Sequence, residues 1–200
     1  MSDPSSKRTN RTPGKVKWRR FAIAAVPSVA IAGTLVGLTA EGAIASSISV
    51  SGKAFTITAK QLSGTGFEQF GGLVTESNGT PHPVMVSAIH DANLTSLCQS
   101  VSVGPITLRL TAGDGGTPVN AQNLIVDADS QTGSTAVFSN ITIGQDAGTL
   151  TEDPGVSGPA GAFGEQADSV TIDNLRQDTW LTTAGTFTLP NLSLGFGGSC

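Results

Sequence analysis

The sequence predicts an all-β fold: a single extracytoplasmic domain, built as a β-sandwich, a barrel or a curved-sheet solenoid, after one N-terminal hydrophobic helix. Two observations support this fold class. Apolar and polar residues alternate in many short runs, which is the period of a strand with one buried face. Gly, Asn, Asp or Pro residues bound each run, and these residue types favour tight turns.

The alternating runs follow one another along the last three-quarters of the chain. They lie at 48–50, 55–59, 84–88, 101–103, 106–110, 124–126, 136–138, 141–143, 170–172, 187–189 and 192–196. The alternation slips by one residue between Phe138 and Ile141 and again between Leu189 and Leu192. A slip of this kind predicts a β-bulge or a sharp bend in the strand.

Three other stretches do not alternate. The residues 111–118 (TAGDGGTP) and 151–164 (TEDPGVSGPAGAFG) are rich in Gly and Pro, which predicts loops, and the second is long enough to cover part of the domain. The stretch 91–99 (DANLTSLCQ) begins with an acidic residue that suits a helix start, and it predicts a short helical turn.

The N-terminal region predicts export. Seven of the eleven basic residues precede position 21, an uncharged apolar run covers 21–40, and Ala43 and Ala45 form a small-x-small cleavage pattern. We therefore divide the chain into a basic cytoplasmic n-region (1–20), a membrane anchor or signal peptide (21–45) and a β-rich extracytoplasmic domain (46–200). The protein is expected in the cell membrane with its domain outside the cytoplasm, or secreted if it is cleaved after Ala45.

The charge of the exported part limits its partners. From position 46 onward the chain has thirteen acidic and four basic residues, a formal net charge of −9. Such a domain repels phosphate backbones, so we expect no nucleic-acid partner. The expected partners are the membrane, through the N-terminal segment, and a lipid ligand or another envelope protein. The sequence leaves the oligomeric state open.

Cys98 and Cys200 are the only cysteines. An even count in an exported protein favours a disulfide bond between them. Two cysteines with His82 and His90 as the only imidazoles make a poor zinc site, so we expect neither a metal nor a cofactor.

No catalytic motif stands out, and we assign no catalytic residue. The stretch 155–159 (GVSGP) resembles a nucleophile elbow but has Pro159 where that motif needs Gly. His82 and His90 are the only candidate bases, and a turn or surface role explains both. Asp127 and Asp129 are expected on one solvated strand face. The sequence therefore leaves the question of enzymatic activity open and favours a non-enzymatic protein.

Several blocks carry a resemblance to a known group of proteins: EGAIASSISVSGKAFTITAKQLSGTGFEQFGG (41–72), GTPHPV (79–84), LCQSV (97–101), PITLRLTAGDGGTPV (105–119) and QADSVTIDNLRQDTWLTTAGTF (166–187). In these blocks the chain resembles an actinobacterial exported or membrane-anchored family of unknown function. Members of that family often carry an automatic cholesterol esterase label. The resemblance supplies no catalytic residues.

Three functions are consistent with this sequence. The first is a non-enzymatic cell-envelope protein, structural or a binding module for a lipid or another hydrophobic ligand. The second is an esterase or lipase that acts on sterol or lipid esters, in which a Ser and a His would converge in a cleft. The third is a surface assembly subunit that associates through strand edges.

Overall fold

A computed structural model describes residues 49–200, and the predicted n-region and hydrophobic segment lie outside the described residues. The described part is all-β, as predicted. Its elements are β1 (Ser49–Val50), β2 (Phe55–Glu76), β3 (Pro81–Thr95), β4 (Leu97–Val103), β5 (Ile106–Ala112), β6 (Val119–Thr132), β7 (Thr135–Ser139), β8 (Thr142–Asp146), a 3-10 turn (Ala147–Thr149), β9 (Phe163–Thr183), β10 (Thr186–Thr188) and β11 (Ser193–Phe196). Within residues 49–200 no helix has the length and apolar character needed to cross a membrane.

Four long strands form a closed ring of antiparallel pairings. β2 pairs with β3, β3 with β6, β6 with β9, and β9 pairs back with β2. All eleven strands of the described region belong to this one sheet. The architecture is therefore a curved sheet that closes on itself, and it differs from the two stacked sheets of a sandwich.

The ring is strongly staggered along the strands. Val137 of β7 pairs with Thr171 of β9, which pairs with Ser63 of β2. Ser63 pairs with Asn93 of β3, and Asn93 pairs with Asn120 of β6. Following these pairs around the ring leads from β7 to β6, the strand that precedes β7 in the sequence, so the sheet coils as it closes.

Two rows of interruptions cross the sheet, and we call them creases. At a crease, neighbouring strands skip one residue pair. The first crease contains Gly66, His90, Asn123 and Asp168. The second crease contains Lys60, Ser96, Gly113 and Asn174. Gly66, Asn123, Ser96, Gly113 and Asn174 have φ between 50° and 78°. A left-handed residue turns a strand sharply, so aligned left-handed residues bend all the strands together.

The creases also reverse the side-chain phase of each strand. In β2 the residues of the main core are Ile57 and Ala59, then Leu62, then Phe67. The two predicted slips of alternation have the same cause, because Asn140 and Asn191 lie within them with φ of 53° and 54°. The predicted bends are confirmed at both positions.

The main core fills the inside of the ring. Phe67 of β2 packs at its centre, with its ring centroid 5.2 Å from that of Phe138. The other members are small or branched apolar residues from all four strands of the ring, including Leu62, Ile89, Leu94, Val119, Leu124, Val126, Val170, Ile172 and Leu175. Because these side chains alternate with outward ones, one apolar interior results from several short runs.

A second apolar layer lies outside the ring, on the C-terminal half of β2 and the start of β3. Val50 of β1 packs there on Val74 and Val84, and Ala147 and Leu150 pack on Phe70. The run 84–88, which looks like an ordinary core strand in the sequence, therefore contributes its even-numbered side chains to an outer layer. The segment 147–162 covers part of it. This segment contains most of the predicted loop 151–164, whose last two residues instead begin β9.

The predicted helical turn at 91–99 is wrong. This stretch belongs to β3 and β4, and only Ser96, with φ of 51°, interrupts them. The acidic start that suggested a helix cap is Asp91, whose carboxylate instead accepts a hydrogen bond from Asn120 at 3.0 Å. Strand pairing with β2 on one side and β6 on the other outweighs the weak local helix signal.

The C-terminus is bound back to the sheet. The sulfur atoms of Cys98 and Cys200 lie 1.99 Å apart, at bonding distance, which is the pairing that the sequence favours. The backbone N–H of Cys200 donates to Ser100 Oγ at 3.1 Å, and Arg176 donates to the Cys200 carbonyl at 3.2 Å. These contacts hold β11 beside β5 at the end of the sheet.

Removing the bridge should destabilise the domain substantially. The bond spans 102 residues, and a loop of that size predicts a loss of about 3–5 kcal/mol in the double variant Cys98→Ala/Cys200→Ala. Urea denaturation with and without reductant measures the change. Reductant should lower the wild-type midpoint and leave the double variant unaffected; equal midpoints for oxidised wild type and the double variant would contradict the expectation.

Candidate functional site

The most unusual surface is formed by β4, β5 and β11 at the open end of the sheet. The register places Val101 opposite Leu108, Val103 opposite Ile106, and Leu108 opposite Phe196. Leu194 lies opposite Leu110. Paired residues of neighbouring strands project to the same side, so these seven apolar side chains share one side, which we call the apolar face.

Five side chains of the apolar face are open to solvent, whereas Val101 and Leu110 are half-buried and Leu110 packs against the main core. The exposed fractions are 81% for Phe196, 61% for Leu194 and Val103, 55% for Ile106 and 39% for Leu108. Single exposed apolar residues are ordinary, but a contiguous patch marks an interaction site. None of the seven side chains carries a charge.

The opposite side of the same three strands is polar. Ser100 lies opposite Arg109, and Ser102 opposite Thr107, whose hydroxyl oxygen is 2.9 Å from Ser102 Oγ. Arg109 donates from Nε to Cys98 Sγ at 3.3 Å, so the disulfide lies on this side. The three strands are therefore an amphipathic layer. Its apolar side continues the core-facing side of the sheet beyond the ring, since Leu97 of β4 and Ala112 of β5 belong to the main core.

A buried carboxylate marks the second candidate site. Glu68 of β2 projects outward from the ring and is completely buried, because the segment 147–162 covers it. Its Oε1 accepts the backbone N–H of Asp153 at 2.8 Å. The segment approaches closely at Gly66, where a Cβ would lie 2.6 Å from the carbonyl oxygen of Glu152. Any other residue at 66 would displace the segment.

A second carboxylate is buried beside the first. Asp153 is 1% exposed, and its Oδ1 lies 3.4 Å from His90 Nδ1, too far for a well-formed hydrogen bond. Glu68 Oε2 and both Asp153 oxygens have no hydrogen-bond partner among the described residues. Burial raises the pKa of both carboxyls; the backbone N–H of Asp153 opposes the shift at Glu68, and His90 opposes it at Asp153.

Asp127 is a third buried acid, and the expectation of a solvated face shared with Asp129 is wrong. The structure buries Asp127 and exposes Asp129, because the β6–β9 register shifts on either side of Ala128. Burial raises the pKa of Asp127 from 3.8 to about 6. Within residues 49–200 no three His, Cys, Asp or Glu side chains are grouped to hold a metal ion.

The side-chain partners of the two histidines are carboxylates and an aromatic ring. His82 Nε2 lies 2.7 Å from Glu76 Oε1, and its ring stacks on Trp180 with centroids 3.8 Å apart. His90 faces Asp153. In the described part of the chain no serine hydroxyl is hydrogen-bonded to either imidazole, and Ser157 lies exposed in the covering segment. Residues 49–200 thus show no hydrogen-bonded Ser–His pair.

The interior of the ring offers little room. Its cavity is about 30 Å³, whereas pockets for small molecules are typically about 300–1,000 Å³. An open groove of about 640 Å³ follows the second crease, with a polar lining that includes Lys60, Gln61 and Asp173. Neither lining contains the exposed residues of the apolar face. A hydrophobic ligand in this conformation would therefore bind outside the ring.

Sequence reasoning missed both the apolar face and the buried carboxylates. The alternation at 101–110 is visible in the sequence, but alternation alone does not reveal that the apolar side remains uncovered. Glu68 had a weak signal, because it is a lone charge between Phe67 and Phe70. Its burial depends on the segment 147–162, which is distant in sequence.

Comparison with known proteins places the chain in a family. A family model described as "Family of unknown function (DUF6230)" matches residues 51–200, and the chain belongs to this family. Searches of curated proteins and of solved structures found no match.

The burial of Asp127 predicts a pH-dependent stability. Because folding raises the pKa of Asp127, the folded state binds the proton more tightly than the unfolded state does. The stabilisation from this proton is fully present below the ordinary pKa of 3.8 and is lost as the pH rises through about 6. Asp127→Asn should raise the free energy of unfolding at neutral pH by about 1–3 kcal/mol.

Chemical denaturation of wild type and Asp127→Asn across this pH range provides the measurement. The difference between the two proteins should shrink on acidification, because protonated Asp127 is neutral, as Asn is. Burial also raises the pKa of Glu165, but Glu165, Glu68 and Asp153 contribute equally to both proteins. A difference that is independent of pH would show that burial does not shift the pKa of this carboxyl.

Glu68 should hold the covering segment in place. Glu68→Ala leaves the Asp153 N–H without its acceptor, which typically costs about 1–3 kcal/mol, whereas Glu68→Gln keeps an acceptor oxygen and removes the buried charge. Hydrogen exchange of residues 147–162 should accelerate in the alanine variant and stay slow in the glutamine variant. Equal exchange in both would show that this hydrogen bond does not retain the segment.

Proposed function

We propose that this member of the family is a non-enzymatic cell-envelope protein, a structural or binding module that engages a hydrophobic partner through the apolar face. One observation carries the proposal: three paired strands present seven uncharged apolar side chains on one side, with Phe196 81% exposed. An amphipathic sheet normally buries its apolar side against another layer.

The envelope setting comes from the N-terminal pattern. A basic flank, an apolar run and a small-residue cleavage pattern direct the rest of the chain out of the cytoplasm. Anchored or secreted, the domain operates where disulfide bonds persist, and Cys98 and Cys200 lie at bonding distance. Both facts are consistent with an extracytoplasmic module.

The partner class follows from the chemistry of the face. Uncharged aliphatic and aromatic side chains gain free energy by removing apolar surface from water, about 25 cal/mol per Å². Lipid acyl chains and apolar protein surfaces are both compatible with such a face. A partner that binds through negative charge is disfavoured, because the exported part carries a net charge of −9.

The esterase alternative lacks a comparable observation. Each histidine lies beside a carboxylate, as an oriented base would, but neither is hydrogen-bonded to a serine hydroxyl within the described region. Turnover of a chromogenic ester that disappears in His82→Ala or His90→Ala would support that alternative.

Native mass spectrometry with lipid extraction tests the proposal on protein purified from its own envelope. The wild type should retain a hydrophobic partner, a lipid or an apolar protein surface, and Phe196→Asp should release it. Phe163→Asp is the matched control, since Phe163 is 63% exposed on β9, outside the apolar face. The proposal fails if all three proteins are equally free of any partner.

A further inference from the structure

The apolar face has the form of one half of a β-sandwich. Its three strands are paired side by side, its polar side holds the disulfide, and five side chains of its apolar side have no covering layer among the described residues. Two such faces pack about 10 Å apart when their side chains interdigitate. The missing layer is therefore most simply a second sheet of the same shape.

Charge restricts what can cover this face. The exported part has a net charge of −9, and the nearest charged side chain on these strands, Arg109, projects from the opposite side. Two copies can bring their uncharged faces together without placing like charges in the contact. The net charge opposes a second copy and an anionic lipid surface alike, so the uncharged contact and its area, and not the net charge, favour a second copy.

The area is sufficient for a symmetric pair. At their observed exposures, Val103, Ile106, Leu108, Leu194 and Phe196 present on the order of 500 Å² of accessible surface, so two copies would bury about 1,000 Å², the lower limit of a specific interface. None of these five residues lines the ring cavity or the groove along the second crease, whereas a small ligand prefers a concave pocket.

We infer that the apolar face of one chain packs against the apolar face of a second copy, so that the two β4–β5–β11 layers form a two-fold symmetric sandwich. The inference rests on the proposed function and names its partner. It makes the protein an assembling envelope component, with Phe196 and Leu194 at the contact. The Cys98–Cys200 bridge supports the contact indirectly, because it holds β11 at the edge of the layer.

In-cell photo-crosslinking of the full chain tests this inference. A benzophenone analogue of phenylalanine replaces Phe196, and in a matched control it replaces Phe163, in cells that export the protein. The probe at 196 should give a product of twice the chain mass, crosslinked within 99–110 or 193–197 of the second copy. The probe at 163 should give no such product.

A second arm uses the same probe at position 103. Phe196→Asp should lower the yield of the double-mass product at least tenfold, while Phe163→Asp should leave it unchanged. Because Phe196 is 81% exposed, its replacement does not disturb the core of the monomer. An unchanged yield in Phe196→Asp overturns the inference.

Other adducts at position 196 also overturn the inference and identify the true occupant. A lipid adduct, a crosslink to an unrelated protein or a crosslink to 21–45 of the same chain would each exclude the second copy. A lipid or apolar protein adduct would leave the proposed function intact. No adduct of any kind at position 196 would contradict both.

Discussion

The pairing of β2 with β9 is the constraint on which the rest of the structure depends. β2 lies between β3 and β9 over residues 61–70, and its first residues lie between β4 and β9. Without the β2–β9 pairing the sheet would be open, and both strands would expose unpaired backbone groups along their length. Closure also brings Phe67 and Phe138 into the same interior.

Closure is possible because the strands bend together. Four long strands can enclose a core only if they turn sharply, and the creases supply the turns through left-handed residues such as Gly66, Asn123 and Asn174. The resulting interior is packed to a small cavity. The two candidate sites therefore lie elsewhere, on the exposed part of β4, β5 and β11 and at the carboxylates beneath 147–162.

The fold class was predictable because alternation and turn residues are local properties. The runs around Phe55, Ile106 and Ile172 all became strands, and the slips of phase at 138–141 and 189–192 became bends. The closure of the sheet was not predictable, since it depends on pairing between residues such as Ser63 and Thr171 that are distant in sequence. The cysteine pair is also distant in sequence, but it was predictable because the chain has only two cysteines. The uncovered apolar face and the burial of Glu68 were missed because they depend on distant pairing that no such count reveals.

Solution NMR of the domain tests the closure of the sheet most directly. Cross-strand contacts between backbone protons of residues 61–70 and 164–173 should appear at the register that pairs Leu62 with Ile172 and Phe67 with Ala167. Amides of β2 that point toward β9 should exchange as slowly as those that point toward β3. Absence of these contacts, with fast exchange along the β9 side of β2, would contradict a closed ring and with it the placement of every outer surface.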